Sequence, residues 1–126
     1  MKLVGFIKEH DHKLGYSFND VMQKSLKEYD TEAIINYLDK GVLIFGWMGY
    51  FNDLEIDEPV APHAYFTDGI WVWPSYFSYY LGKYKSITFD DEFLHYLEDK
   101  NFEFQKDTDI EEKIKLFERQ LHEKMT

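Results

Sequence analysis

Two histidines two residues apart, His10 and His12, flank Asp11 and are the first groups along the chain able to ligate a metal. On a strand that spacing places both imidazoles on one face. Zinc takes three or four protein ligands, and His63, His95 and His122 are scattered, so no ligand set is assembled locally and no metal is expected. The acids of Asp53-Leu54-Glu55-Ile56-Asp57-Glu58 alternate along the chain. Calcium loops of the EF-hand kind need twelve residues with glycine at the sixth position and a closing Glu, and Asn52 to His63 lacks that pattern. Asp53, Asp57 and Asp68, near sugar-stacking Trp and Tyr, could form the carboxylate pair of a glycosidase, but nothing in the sequence fixes their separation. Covalent catalysis has little to work with. There is no cysteine and no Gly-x-Ser-x-Gly elbow, and the serines lack an evident partner. No glycine-rich phosphate loop occurs, and the only arginine, Arg119, suits a surface ion pair. The chain is expected to bind rather than catalyse, without a cofactor.

What the residues suggest instead is recognition. From Gly41 to Gly82 there is no Lys or Arg, yet this stretch carries Asp53, Glu55, Asp57, Glu58 and Asp68 and twelve of the 24 aromatics. Carboxylates without local counter-charge attract a basic surface and speed encounter. Tyr and Trp supply large anchors at low entropy cost. Asp53, Glu55, Asp57, Glu58, Asp68, Trp47, Tyr50, Tyr76 and Tyr79 are therefore the candidate partner-binding residues. The competing reading is that the rings are core and the acids a solvated loop.

The elements that must position these groups can be placed by pattern. Leu3 to Ile7 reads as a short strand. Ser17 or Asn19 caps a short helix through Lys27, with Phe18, Val21, Met22 and Leu26 inward. Asp30 or Thr31 starts a helix with Ala33, Ile34, Tyr37 and Leu38 on one face and Gly41 as a left-handed stop. Val42 to Phe45 reads as a short buried strand, and Gly46 to Tyr50 as a bend or close backbone approach. Asn52 to Pro62 reads as an acidic loop. Thr67-Asp68-Gly69 between β-formers is a hairpin signal, and Ile70 to Trp73, apolar on both faces, reads as a central strand with at least one Trp in the core. Pro74 opens a helix that Gly82 ends. Asp90 or Asp91 starts another, burying Phe93, Leu94 and Leu97 and stopping at Asn101. Phe102 to Phe104 reads as a short strand. Thr108 and Glu111 have capping-box spacing, and Ile110, Ile114, Phe117 and Leu121 form the seam of a last helix.

These elements predict one α+β domain over residues 1–126: a small, mainly antiparallel sheet with a hairpin at Thr67 to Gly69, packed by several helices. The alternative architecture is mostly helical with one hairpin. At 126 residues one core suffices without disulfides. The absence of cysteine fits a cytoplasmic setting. The opening residues do not read as a signal peptide, because charge returns by Lys8. The uncharged runs Gly41 to Asn52 and Gly69 to Gly82 are both too short to span a bilayer. A formal charge of −10 argues against nucleic acid and for a basic partner.

Thr67-Asp68-Gly69-Ile70-Trp71-Val72-Trp73-Pro74, then Tyr79-Tyr80 and Asp91-Glu92-Phe93-Leu94, resemble a group of small bacterial proteins sharing a T-D-G-hydrophobic-W-x-W-P run. Tyr37-Leu38 before Gly41, and Gly49 to Asp53, extend the likeness over roughly residues 30 to 100. Such proteins occur among immunity proteins of polymorphic or contact-dependent toxin systems. The resemblance implies a non-enzymatic cytoplasmic inhibitor that binds a cognate toxin domain. Two other readings stay open: a small-ligand or carbohydrate-binding domain with weak hydrolase activity, and a self-assembling structural protein.

Overall fold

β-Branched and aromatic residues dominate Val42 to Asn52, and the chain there forms one eleven-residue strand rather than a strand followed by a loop. The computed structural model describes residues 1–25 and 27–126; Leu26, expected to face inward, lies outside them. Four strands, β1 (Lys2–Leu3), β2 (Val42–Asn52), β3 (Pro59–Thr67) and β4 (Trp71–Pro74), form one sheet in the order β1-β4-β3-β2. The β2/β3 and β3/β4 pairs are antiparallel and β1/β4 is parallel. Around the sheet lie α1 (Phe18–Val21), α2 (Thr31–Asp39), α3 (Tyr76–Tyr84), α4 (Asp91–Asp99) and α5 (Ile110–Met125). The fold is α+β with a mixed, mainly antiparallel sheet.

β4 and β3 are the two interior strands, and all four residues of β4 are buried. Trp71 and Trp73 lie against Phe93 of α4, with ring centroids 5.1 and 6.3 Å away. Tyr37 of α2 closes on Trp73 at 6.2 Å. The turn before β4 forms as its chemistry demands. Gly69 takes φ +103, and Asp68 Oδ1 accepts the Ile70 and Trp71 amides at 2.9 and 2.8 Å. Asp30 caps α2 by accepting the Ala33 amide. The α5 seam faces inward, with Ile110, Phe117 and Leu121 buried and Ile114 half-buried.

Several local expectations are corrected. The ladder of β1 stops at Leu3, with one more bond from Val4 N to Val72 O (3.0 Å), because Gly5 turns away at φ +79. Ser17 caps α1, but that helix ends at Val21 and not near Lys27. Gly41 is not left-handed. α2 ends on Lys40 at φ −87, and Gly41 is needed because a Cβ there would meet the Trp73 ring at 2.5 Å. Val42 to Phe45 is not a buried strand. It opens an edge strand, and only Ile44 is buried. The acidic loop shrinks to residues 53–58, since Pro59 already begins β3. Proline is tolerated at the first position of a strand.

Pro74 ends β4, Gly82 lies inside α3, and Lys85 at φ +66 supplies that helix's stop. Phe102 to Phe104 forms no strand: Asn101 and Phe102 are both left-handed, which breaks an extended run. Thr108 and Glu111 form no capping box. Asp109 holds the cap position of α5 without a side-chain bond.

Candidate functional site

β2 is one of the two edge strands of the sheet, and among the described residues one of its edges has no ladder partner. Its register slips between Trp47 and Tyr50, where Gly49 adopts φ +106 and a bulge forms. The bulge pushes Met48 outward until it is 95% exposed. Trp47 and Tyr50 on either side are 47% and 63% exposed. Gly46 to Tyr50 is thus a five-residue uncharged, solvent-facing run in mid-strand.

The Trp47 ring is nonetheless fixed. It stacks on Phe45 at 5.5 Å and leans on His63 and Tyr65 at 5.3 and 5.6 Å, while Phe45 stacks on His122 of α5 at 4.6 Å. A half-exposed Trp held on three sides is a pre-organised anchor.

Loop 53–58 continues from β2 and is closed at its base by backbone bonds from Asp53 N to Glu58 O (2.8 Å) and from Asp57 N to Asp53 O (2.9 Å). Asp57 sits in the left-handed region at φ +53, and Asn52 Nδ2 donates to its carboxylate at 3.1 Å. Asp53 is the staple. Its Oδ1 accepts the Glu55 and Ile56 amides at 2.7 and 3.2 Å, and its Oδ2 accepts the Tyr79 hydroxyl at 2.5 Å and Lys83 Nζ at 2.7 Å. Burial opposes ionisation of this carboxyl. Lys83, Tyr79 and the two amides outweigh that cost and hold Asp53 well below the usual carboxylate range. Tyr80 adds a second link to α3 by accepting the Leu54 amide at 3.2 Å.

The loop is therefore clamped to α3 while Leu54, Glu55, Ile56, Asp57 and Glu58 face solvent. Lys83 lies 3.6 Å from Glu55; Asp57 and Glu58 have no ion-pair partner among the described residues. Tyr50, Asp57, Glu9 and His63 line one shallow cleft of about 400 Å³, which makes the apolar run and the acid loop one continuous surface.

The nine expected partner-binding residues thus divide. Trp47, Tyr50, Glu55, Asp57 and Glu58 share the exposed edge and loop. Tyr79 is half-buried and spends its hydroxyl on Asp53. Asp53 (1% exposed), Asp68 (3%) and Tyr76 are buried and cannot touch a partner on this surface. Asp68 Oδ2 accepts Tyr37 and Tyr96 hydroxyls at 2.5 and 2.7 Å. Tyr76 donates to Asp11 Oδ2 at 2.7 Å and accepts the Ile7 amide at 2.9 Å. Tyr65 also donates to Asp11. Burial pushes the Asp11 carboxyl up, and the two tyrosine bonds offset part of that. Five of the ten tyrosines bind a buried aspartate, so much of the acid-and-ring pattern read as surface is an internal hydrogen-bond system.

Of the three carboxylates considered for glycoside chemistry, Asp53 and Asp68 are committed to amides and tyrosines, leaving only Asp57 facing solvent. No group of three or more His, Asp or Glu side chains converges to hold a metal among the described residues. No described helix is long and apolar enough to cross a membrane.

Met48, Leu43 and Ile56, all exposed, were not among the expected site residues, and neither was Lys83. The glycines flanking Trp47-Met48 were the available signal for the first of these. The i, i+4 spacing of Tyr79 and Lys83 on a helix was the signal for the last.

No family model, curated protein or solved structure matches the chain.

Proposed function

We propose that this chain is a non-catalytic, immunity-type protein that captures a basic partner, a toxin domain, along β2 and loop 53–58. The observation that carries the reading is the junction of two features. An uncharged exposed run, Gly46 to Tyr50, leads into a rigid loop whose Glu55, Asp57 and Glu58 have a single lysine nearby. Glu55, Asp57 and Glu58 steer the encounter, and Trp47, Met48 and Tyr50 supply the buried contact once it forms. Because Asp53 fixes the loop before binding, little ordering entropy is lost on docking. The chain's charge of −10 suits a cationic partner. The likeness of the Thr67 to Pro74 run to immunity proteins points the same way.

The test measures binding to the cognate toxin domain, sought first in the gene neighbouring this chain's own. The double variant Glu55→Lys/Glu58→Lys is expected to slow association about ten-fold or more at low salt, with the difference shrinking as salt rises. The dissociation rate changes little. An association rate that ignores both charge reversal and salt removes the electrostatic basis of the proposal.

A further inference from the structure

A second concavity lies away from the β2 edge, between the exit of β1, helix α1 and the segment joining α3 to α4. It encloses about 260 Å³. Leu3, Val4, Phe77, Ile87 and Phe89 make its walls, so its interior is mainly apolar. Among its polar lining groups, the Tyr80 hydroxyl is engaged by Leu54 and His10 and Thr88 donates to Gln23, while Asp90 carries the only charge. Tyr16 donates its hydroxyl to Asp90 Oδ1 at 2.9 Å, and both residues line the cleft.

Asp90 holds the N-cap position of α4, where a carboxylate ordinarily accepts an amide of the first turn. Here its side chain makes no capping bond; its backbone carbonyl takes the Phe93 amide at 3.1 Å instead. The carboxylate points to Tyr16 and the cleft. The two acids that follow are each paired, Asp91 with Lys27 at 3.5 Å and Glu92 with Lys2. Asp90 has no ion-pair partner among the described residues. An apolar cleft with one uncompensated carboxylate at its polar end selects a ligand of matching polarity: an apolar body with a cationic head.

We propose that this cleft binds a small organic cation, an ammonium group carrying a short aliphatic or aromatic body. The volume lies just under the roughly 300–1,000 Å³ of pockets for drug-sized ligands, so the body is fragment-sized. The ammonium donates to Asp90, with Tyr16 holding the carboxylate in place from its other oxygen. The body replaces water against Val4, Phe77 and Phe89. Of the residues that clamp loop 53–58, this site shares only Tyr80.

The experiment is a titration of the full chain, followed by amide chemical shifts, with n-hexylammonium, n-hexanol and n-hexanoate as probes. Hexylammonium is expected to saturate shifts at Gly15 and Thr88, to bind about ten-fold more tightly than hexanol, and to exclude hexanoate. Asp90→Asn, which keeps an acceptor for Tyr16, should erase the preference for ammonium over alcohol while hexanol binding persists. Leu3→Phe should weaken both probes by filling the cleft, with circular dichroism checking its fold. The charge test rests on Asp90→Asn, so it stands even if Leu3→Phe does not fold. No saturable shifts up to the solubility limit, equal affinity for all three probes, or an unchanged preference in Asp90→Asn would each overturn the proposal.

Discussion

Two aspartates, one at each end of β3, build their turns with the same parts. Asp53 and Asp68 each use Oδ1 to accept two backbone amides ahead of them and Oδ2 to accept tyrosine hydroxyls. Each also has a lysine in its shell. Lys83 touches Asp53 directly at 2.7 Å, whereas Lys100 reaches the tyrosines of Asp68, at 3.1 and 3.3 Å, and not the carboxylate. Around Asp68 both tyrosines come from helices packed over the sheet, so the turn is a core joint. Around Asp53 one helix supplies tyrosine and lysine from one side, and the loop's remaining side chains are left to solvent. Identical local chemistry thus makes an anchor in one place and a display platform in the other. What separates them is how many sides the rest of the fold covers.

The sharpest way to break this comparison is to remove each carboxylate. Asp68→Ala strands the buried Tyr37 phenol, the half-buried Tyr96 phenol and two amides, and is expected to cost about 3–5 kcal/mol in urea unfolding. Asp53→Ala should cost about 1–2 kcal/mol, because water can reach the freed amides of a surface loop. Equal costs would mean the loop is as much a part of the core as the turn.

A smaller effect comes from His10, whose ring sits 4.4 Å from Tyr76 and whose Nε2 meets the Tyr80 hydroxyl at 2.8 Å on the loop's side of the molecule. Burial drives this imidazole from 6.5 down to about 4, against the pull of the Glu9 and Asp53 carboxylates. Between those values the unfolded chain binds the proton and the folded one does not. Stability therefore falls as pH drops from 6.5 towards 4, by on the order of 1 kcal/mol once solvent screening of a half-buried ring is allowed for. His10→Phe should flatten that slope. Asp53 is depressed, so its contribution survives this window and is lost only as pH falls below its unfolded value of about 3.8.

The least effect on folding is expected from Glu55→Lys/Glu58→Lys. Both side chains are exposed, and the one ion pair between them and the staple, Glu55 with Lys83 at 3.6 Å, is solvent-screened, so the change should move stability by no more than about 0.5 kcal/mol, measured as a shift in urea midpoint. A larger loss would tie the displayed acids to the anchor.

The Asp68-Gly69 turn, the interior position of β4 and the α5 seam were legible because each is written in adjacent or helically spaced residues. The depth of β2 was not. Val42 to Phe45 reads the same at the centre of a sheet or at its rim, and the difference depends on which strand lies beyond it. The burial of Asp53 and Asp68 was equally hidden. Carboxylates are ordinarily exposed, and the groups that keep these two inside, Tyr37, Tyr79, Lys83 and Tyr96, are 26 to 31 positions away. Lys83 stands one residue past the cation-free stretch, so that asymmetry overstated how bare Asp53 is. The exposed acids Asp57 and Glu58 were legible because nothing distant pairs with them, and Glu55 because Lys83 reaches it only at 3.6 Å.

The parallel pairing of β1 with β4 has a consequence for synthesis. A ribosome makes Lys2 and Leu3 about seventy residues before their partners Trp71 and Val72. The β2–β3 hairpin, joined by a short loop, can close as soon as it emerges, whereas the opening strand must wait unpaired. The sheet is therefore assembled from its β2 edge across to its β1 edge. The segment translated first is the last to be zipped in, and a chain stalled before residue 71 carries a finished rim on an unsealed body.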